Sequence, residues 1–161
     1  MRTAPTGRLA SVLLLACCLA ISACVYFNTF YNAKKSFREA EKERRKHEET
    51  YADWAFDRAG PELQQQRSQQ ADQLYDKAVR KASKVLDKYK ESDLVDDAMF
   101  LIGQAYYWRG EYLNAQESFR DLETFFPSSS YFDQARYWRA RCLKEQRIDD
   151  QAQSLYRVLF D

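Results

Sequence analysis

The sequence predicts an all-α protein, a solenoid of about three antiparallel helical hairpins preceded by a secretory leader. Three observations carry that expectation. Between Ala98 and Pro127, two amphipathic patterns flank a turn at Arg109-Gly110. The first holds Phe100, Leu101 and Ile102 with small Gly103 and Ala105, then Tyr106; the second holds Ala115, Phe119 and Leu122 at helical spacing. Small residues where two helices touch, with aromatics one turn away, describe a helical hairpin. The chain also repeats itself. A slide of 37 residues sets Ala78 on Ala115 and Ala152, Ala82 on Phe119 and Tyr156, and Val85 on Leu122 and Leu159. Composition agrees: 161 residues with 15% aromatics but only 4 Gly and 3 Pro favour helices with short connections over a β-sandwich or a disordered tail.

Gly103, Tyr106, Gly110, Tyr112, Ala115, Phe119 and Pro127 fall at the signature offsets of a tetratricopeptide repeat, which this window resembles. The resemblance implies a tetratricopeptide-type α-solenoid and is silent on chemistry, because those positions serve packing. Pro127 ends the second helix, since it lacks an amide hydrogen and clashes with the preceding turn. A period longer than the common ~34 predicts longer loops between repeats.

Taken in order, the chain begins with Arg2 and Arg8 before an apolar run, Leu9 to Ile21, too short to span a bilayer and of the right size for a secretory leader. The run closes on Ile21-Ser22-Ala23-Cys24, which resembles a bacterial lipobox. The resemblance implies that residues 1–23 are removed and that Cys24 is lipidated. An ordinary signal peptide or an uncleaved anchor is the alternative. Cys17 and Cys18 then leave with the leader and Cys142 stands alone, so no intrachain disulfide forms. Loss of Arg2 and Arg8 turns the formal net charge from +1 to about −1, which argues for neither nucleic acid nor an acidic partner. Val25 after the cysteine resembles outer-membrane sorting.

Residues 24–161 form the expected repeat domain, with hairpins over roughly 29–90, 96–126 and 133–161. Asn28 or Thr29 is placed to cap the first helix, whose apolar stripe runs Phe30, Ala33, Phe37, Ala40, His47, Tyr51 and Trp54. Its dense alternating charge reads as a contact face for a partner or lipid headgroups, or as a solvated helix laced with i,i+4 ion pairs. Gly60-Pro61 breaks that helix and opens the next, in which Ala71, Leu74, Tyr75, Ala78, Ala82, Val85 and Tyr89 step by three and four. The last repeat departs from its predecessor. Arg136 and Arg139 replace Met99 and Ile102, predicting poorer packing or a surface facing something beyond this chain, and Arg147 replaces Gly110. A solenoid needs a polar terminal cap, and the chain up to Asp161 carries none, so it reads as the front part of a longer protein.

No catalytic constellation assembles. The single histidine, His47, sits among Lys and Glu, and HExxH, CxxC, Ser-His-Asp order and a phosphate-cradling Gly loop are all missing. Asp96-Asp97 and Asp149-Asp150 read as helix-start acids near the positive dipole end, and Cys142 as a small core residue. No catalytic residue, metal ligand, cofactor or small-molecule substrate is expected. Surfaces remain. In tetratricopeptide proteins the first helix of each hairpin lines a groove that receives partner segments. Transferred residue by residue, that groove takes Asp97, Phe100, Gln104, Tyr107 and Trp108, then Gln134, Tyr137, Arg141, Lys144 and Glu145. Phe100, Tyr107 and Tyr137 would supply rigid contact area and Arg141 a forked donor for a carboxylate, unless a neighbouring helix fills over the aromatics.

A lipobox followed at once by such repeats resembles the BamD-type lipoproteins of the outer-membrane β-barrel assembly machinery, as does a repeat ending in Phe126-Pro127-Ser128-Ser129 before Tyr131-Phe132-Asp133-Gln134-Ala135. The likeness covers residues 70–161 well and 25–69 loosely. It implies a non-catalytic, lipid-anchored scaffold on the periplasmic side of the bacterial outer membrane, with envelope assembly subunits or unfolded outer-membrane proteins as partners. Two alternatives share the fold: an adaptor for peptidoglycan, pilus or secretion assemblies, and the N-terminal scaffold of a longer envelope enzyme.

Overall fold

The computed structural model describes residues 27–49 and 69–160. The leader, Cys24, Tyr51, Trp54 and the Gly60-Pro61 break lie outside the described residues. Those described form six helices and no strand: α1 (27–49), α2 (Gln69–Lys88), α3 (Val95–Trp108), α4 (Tyr112–Phe125), α5 (Phe132–Glu145) and α6 (Asp149–Phe160). From α2 onward each helix packs on the next, and α3 also touches α5. This is the expected all-α tetratricopeptide-type solenoid.

The stripe of α1 buries Phe30, Ala33 and Ala40 against Ala71, Tyr75, Ala78, Ala82 and Val85 of α2, in one core with Ala98, Leu101, Ile102 and Ala105 of α3. Small residues on both sides let the backbones approach, and the Phe37 ring meets Tyr75 edge-on at 5.5 Å and 66°. Asn28 and Thr29 do not cap the helix. Both lie inside α1, where Asn32 Nδ2 donates to the Asn28 carbonyl and to its Oδ1, each at 2.7 Å. A second core joins Phe100 and Tyr107 to Ala115, Phe119, Leu122, Ala135 and Cys142. Burial pushes the Cys142 thiol up to about 12, so it is an inert apolar filler.

The 37-residue period is written into the backbone. Phe126 N donates to Leu122 O as Tyr89 N does to Val85 O, both at 2.9 Å, and Ser129 N reaches Phe126 O as Ser92 N reaches Tyr89 O, both at 3.0 Å. The hydroxyls of Ser92 and Ser129 each accept from the amide two residues on, both at 3.1 Å. After α3, Gly110 N donates to Tyr107 O (2.8 Å) and Glu111 N to Tyr106 O (2.9 Å). After α5, Arg147 N donates to Lys144 O (3.0 Å) and Ile148 N to Leu143 O (2.9 Å). The turn demands a left-handed residue: Gly110 has φ 73° and Arg147 φ 60°. For a residue with a Cβ that conformation costs ~1–2 kcal/mol. Arg147→Gly should therefore raise the unfolding free energy by about 0.5–1 kcal/mol, the larger backbone entropy of glycine offsetting the rest; equilibrium urea denaturation reads it.

Arg136 and Arg139 correct the expectation of an outward face. They turn back onto α4, where Arg136 Nε stands 3.5 Å from Glu123 Oε2 and Arg139 Nη1 3.2 Å from Oε1. The contact to Oε1 lacks the alignment of a hydrogen bond, and the Glu123 side chain is only 9% exposed. Burial accordingly pushes the Glu123 carboxyl above its ordinary 4.5, against the pull of Arg139 and Arg136. A raised carboxyl holds its proton more tightly in the folded state, so this group costs stability as pH rises above the ordinary value. Glu123→Gln should remove that slope, with the gap in unfolding free energy widening in its favour from about pH 4.5 to neutrality. A variant less stable than the parent at pH 7 overturns this account.

Candidate partner-binding groove

The first helices of the second and third hairpins, α3 and α5, carry the groove candidates. Gly103 sets how closely α4 sits behind that wall. A Cβ built there would stand 2.7 Å from Cε1 of Phe119, a ring with no exposure. The Phe119 ring in turn meets Phe100 edge-on (5.8 Å, 62°) and stacks on Trp138 of α5 (6.2 Å, 19°).

Two candidates are not contact surface. Phe100 is 7% and Tyr107 5% exposed. The neighbouring repeat fills over both. Phe100 stacks on Tyr131 at 4.5 Å and 19°, while Tyr107 is boxed by Trp108, Tyr112 and Trp138 at 5.0–5.4 Å. The Tyr107 hydroxyl donates to Glu145 Oε1 at 3.0 Å, and burial foremost, then that carboxylate, pushes its pKa above the ordinary 10.0 against the pull of Arg141. Asp97, half-buried, is also engaged, because Tyr131 Oη donates to its Oδ1 at 2.8 Å. Ser129 does the same to Asp96 Oδ2 at 2.5 Å. Burial and then the Asp97 bond push Tyr131 up to about 12. These contacts tie α3 to the start of α5.

The remaining candidates face solvent to differing degrees. Gln104, Trp108 and Arg141 are half-buried; Gln134, Lys144 and Glu145 are exposed. Tyr137 is 40% exposed and pairs with Tyr156 at 5.9 Å and 59°, nearly the geometry of Phe100 with Phe119 one period earlier.

Arg141 is the chemical centre. Its guanidinium lies 4.6 Å from the Trp138 ring centroid, 4.8 Å from Tyr107 and 5.8 Å from Trp108. Among the described residues it makes no salt bridge. Three ring faces thus hold a planar fork of donors while leaving its hydrogen bonds for something else. Two residues outside the expected set complete the site. Trp138 floors the cradle; the period maps it onto Leu101, so it reads as plain core. Arg44 of α1 lies 3.8 Å over Trp108 while paired with Glu41 and Glu48. It comes from the charged run of α1, where spacing alone marks no single arginine.

Among the described residues no group of His, Cys, Asp and Glu is placed to hold a metal ion, and no helix is long and apolar enough to cross a membrane. No curated protein and no solved structure matches the chain. Residues 97–129 match the tetratricopeptide repeat family model, so the chain carries this repeat within an all-α solenoid, a fold that typically serves as a non-catalytic scaffold for protein–protein interaction.

Proposed function

We propose that the protein is a lipid-anchored scaffold on the periplasmic side of the outer membrane, with a BamD-like role in outer-membrane protein assembly, and that its groove captures a partner segment by a carboxylate at Arg141. The observation that carries the capture is the Arg141 guanidinium, oriented by three rings and without a salt bridge among the described residues. A fork pre-set in this way loses little entropy on meeting a carboxylate. Tyr137 offers the exposed aromatic beside it, and Gln104, Gln134 and Lys144 supply polar contacts along α3 and α5. The anchor is supported by Ile21-Ser22-Ala23-Cys24 and the apolar run before it.

The test is crosslinking followed by pull-down of the full chain from membranes, alongside acyl labelling. Recovery of barrel-assembly subunits supports the reading; recovery of only cell-wall, pilus or secretion proteins replaces it with the adaptor alternative. Cys24→Ala should abolish acyl incorporation, and unchanged labelling would refute the anchor.

A further inference from the structure

The bases of α1 and α2 outnumber the acids on one shared face, where Glu39 is the acid among Lys35, Arg38 and Lys42. Arg44 engages both Glu41 (3.0 Å) and Glu48 (2.7 Å), and Glu41 also receives the Tyr75 hydroxyl. Those carboxylates are therefore spent within the fold. Lys34, Lys35, Lys42, Lys77 and Lys84 are exposed and make no salt bridge among the described residues. Arg38 donates to the Lys34 carbonyl at 3.4 Å. Lys81 Nζ crosses from α2 to the Asn32 carbonyl of α1, also at 3.4 Å, which brings the two sets of cations together. Burial lowers the Lys81 ammonium, and Lys77, Lys35 and Lys84 press it the same way while Glu39 opposes them. A shallow depression of about 290 Å³ opens beside these groups, lined by Tyr31, Lys35, Arg38, Glu39 and Lys42.

We propose that this face (Lys35, Arg38 and Lys42 of α1, Lys77 and Lys84 of α2, and Tyr31 at its rim) lies against an anionic phospholipid surface. Clusters of four or more cations on a helix are drawn to acidic headgroups. Compact ammonium groups suit phosphate as point charges. Tyr31, 59% exposed, has the ring-and-hydroxyl character that settles at headgroup depth. The depression sets Lys35, Arg38 and Lys42 around Tyr31, with Glu39 as its one acid, so it offers phosphates three cationic contacts. Position favours lipid over an acidic protein. Tyr31 follows Cys24 by seven residues, and α1 runs about 22 Å from Phe27 to Lys42, so with α1 laid along the surface the whole face meets the headgroups. That placement rests on the lipid-anchor reading.

The intact protein is reconstituted into phosphatidylcholine vesicles, with or without about 30 mol % phosphatidylglycerol, and lysine acetylation is mapped by mass spectrometry. Acetylation of Lys35, Lys77 and Lys84 should fall about threefold or more in the anionic vesicles at ~0.1 M salt and recover at ~0.5 M. Lys144 on α5 should react alike in both. Equal reactivity of the three lysines in the two lipids overturns the proposal. So does protection by heparin over neutral vesicles that phosphatidylglycerol does not reproduce, which reassigns the face to another polyanion. In Lys35→Glu/Lys77→Glu/Lys84→Glu, with unchanged circular dichroism, Lys42 should lose its lipid-dependent protection; protection that persists overturns the proposal. The N-terminal mass of the same preparation reads the anchor separately. Protection without acylation sinks the anchor alone, and acylation without protection sinks the face alone.

Discussion

Phe119→Ala is expected to lower the unfolding free energy by about 3–5 kcal/mol, the range for deleting a fully buried aromatic ring. This is the largest effect foreseen in the chain, because one ring serves three helices. It fills the space left by Gly103 on α3, meets Phe100 edge-on and stacks on Trp138 of α5. Its loss would loosen α4 from both neighbours at once. Gly103→Ala reaches the same seam from the other side. The added methyl has nowhere to go against a ring that cannot swing out, so about 1–3 kcal/mol should be lost by overpacking. The pair Gly103→Ala/Phe119→Leu makes room for that methyl and should be more stable than the sum of the two single changes. Chemical denaturation followed by circular dichroism measures all three, and simple additivity would show that the contact does not limit the approach of the helices.

Arg141→Ala should weaken partner capture by more than about 2 kcal/mol, roughly thirtyfold in affinity, as expected of an arginine anchor at the middle of an interface. Arg141→Lys should recover little of it, because an ammonium cannot reproduce the planar fork. The readout is binding to the species recovered by crosslinking, with helicity and thermal midpoint recorded beside it. Full capture by Arg141→Ala would remove the groove from the proposed function. Tyr107→Ala separates contact from support: buried under Trp138 and Tyr112, it should cost stability first and binding only as a consequence.

The repeating part of this molecule was legible because repetition leaves periodic traces. Ala78, Ala115 and Ala152 announce helix contacts at one spacing, and Gly103 with Phe119 announces a small-against-large fit; the structure shows both. Burial at the groove was less legible. Positions 100 and 107 lie on the groove side by family register, yet their exposure depends on what residues some thirty positions later do. Tyr131 and Trp138 cover them, and neither residue advertises that in its own spacing. Of the two expectations for the arginines of α5, a face turned beyond the chain fails for a related reason. Apolar-to-charged replacement at Arg136 and Arg139 predicts an outward face unless the opposing helix provides a carboxylate, and Glu123 does so from the far side of the turn. Arg44 over Trp108 joins the first hairpin to the second, a contact that no short-range pattern encodes.

The identical set of amide-to-carbonyl links at both junctions makes the backbone a ruler graduated in steps of 37 residues. Splicing an extra copy of one such step between Phe126 and Pro127 would lengthen the rod while every seam kept its old neighbours. A single residue added inside a helix would instead rotate the rest of that helix by about 100° and swing its alanines out into water. Length is thus a property this architecture can change only in whole units.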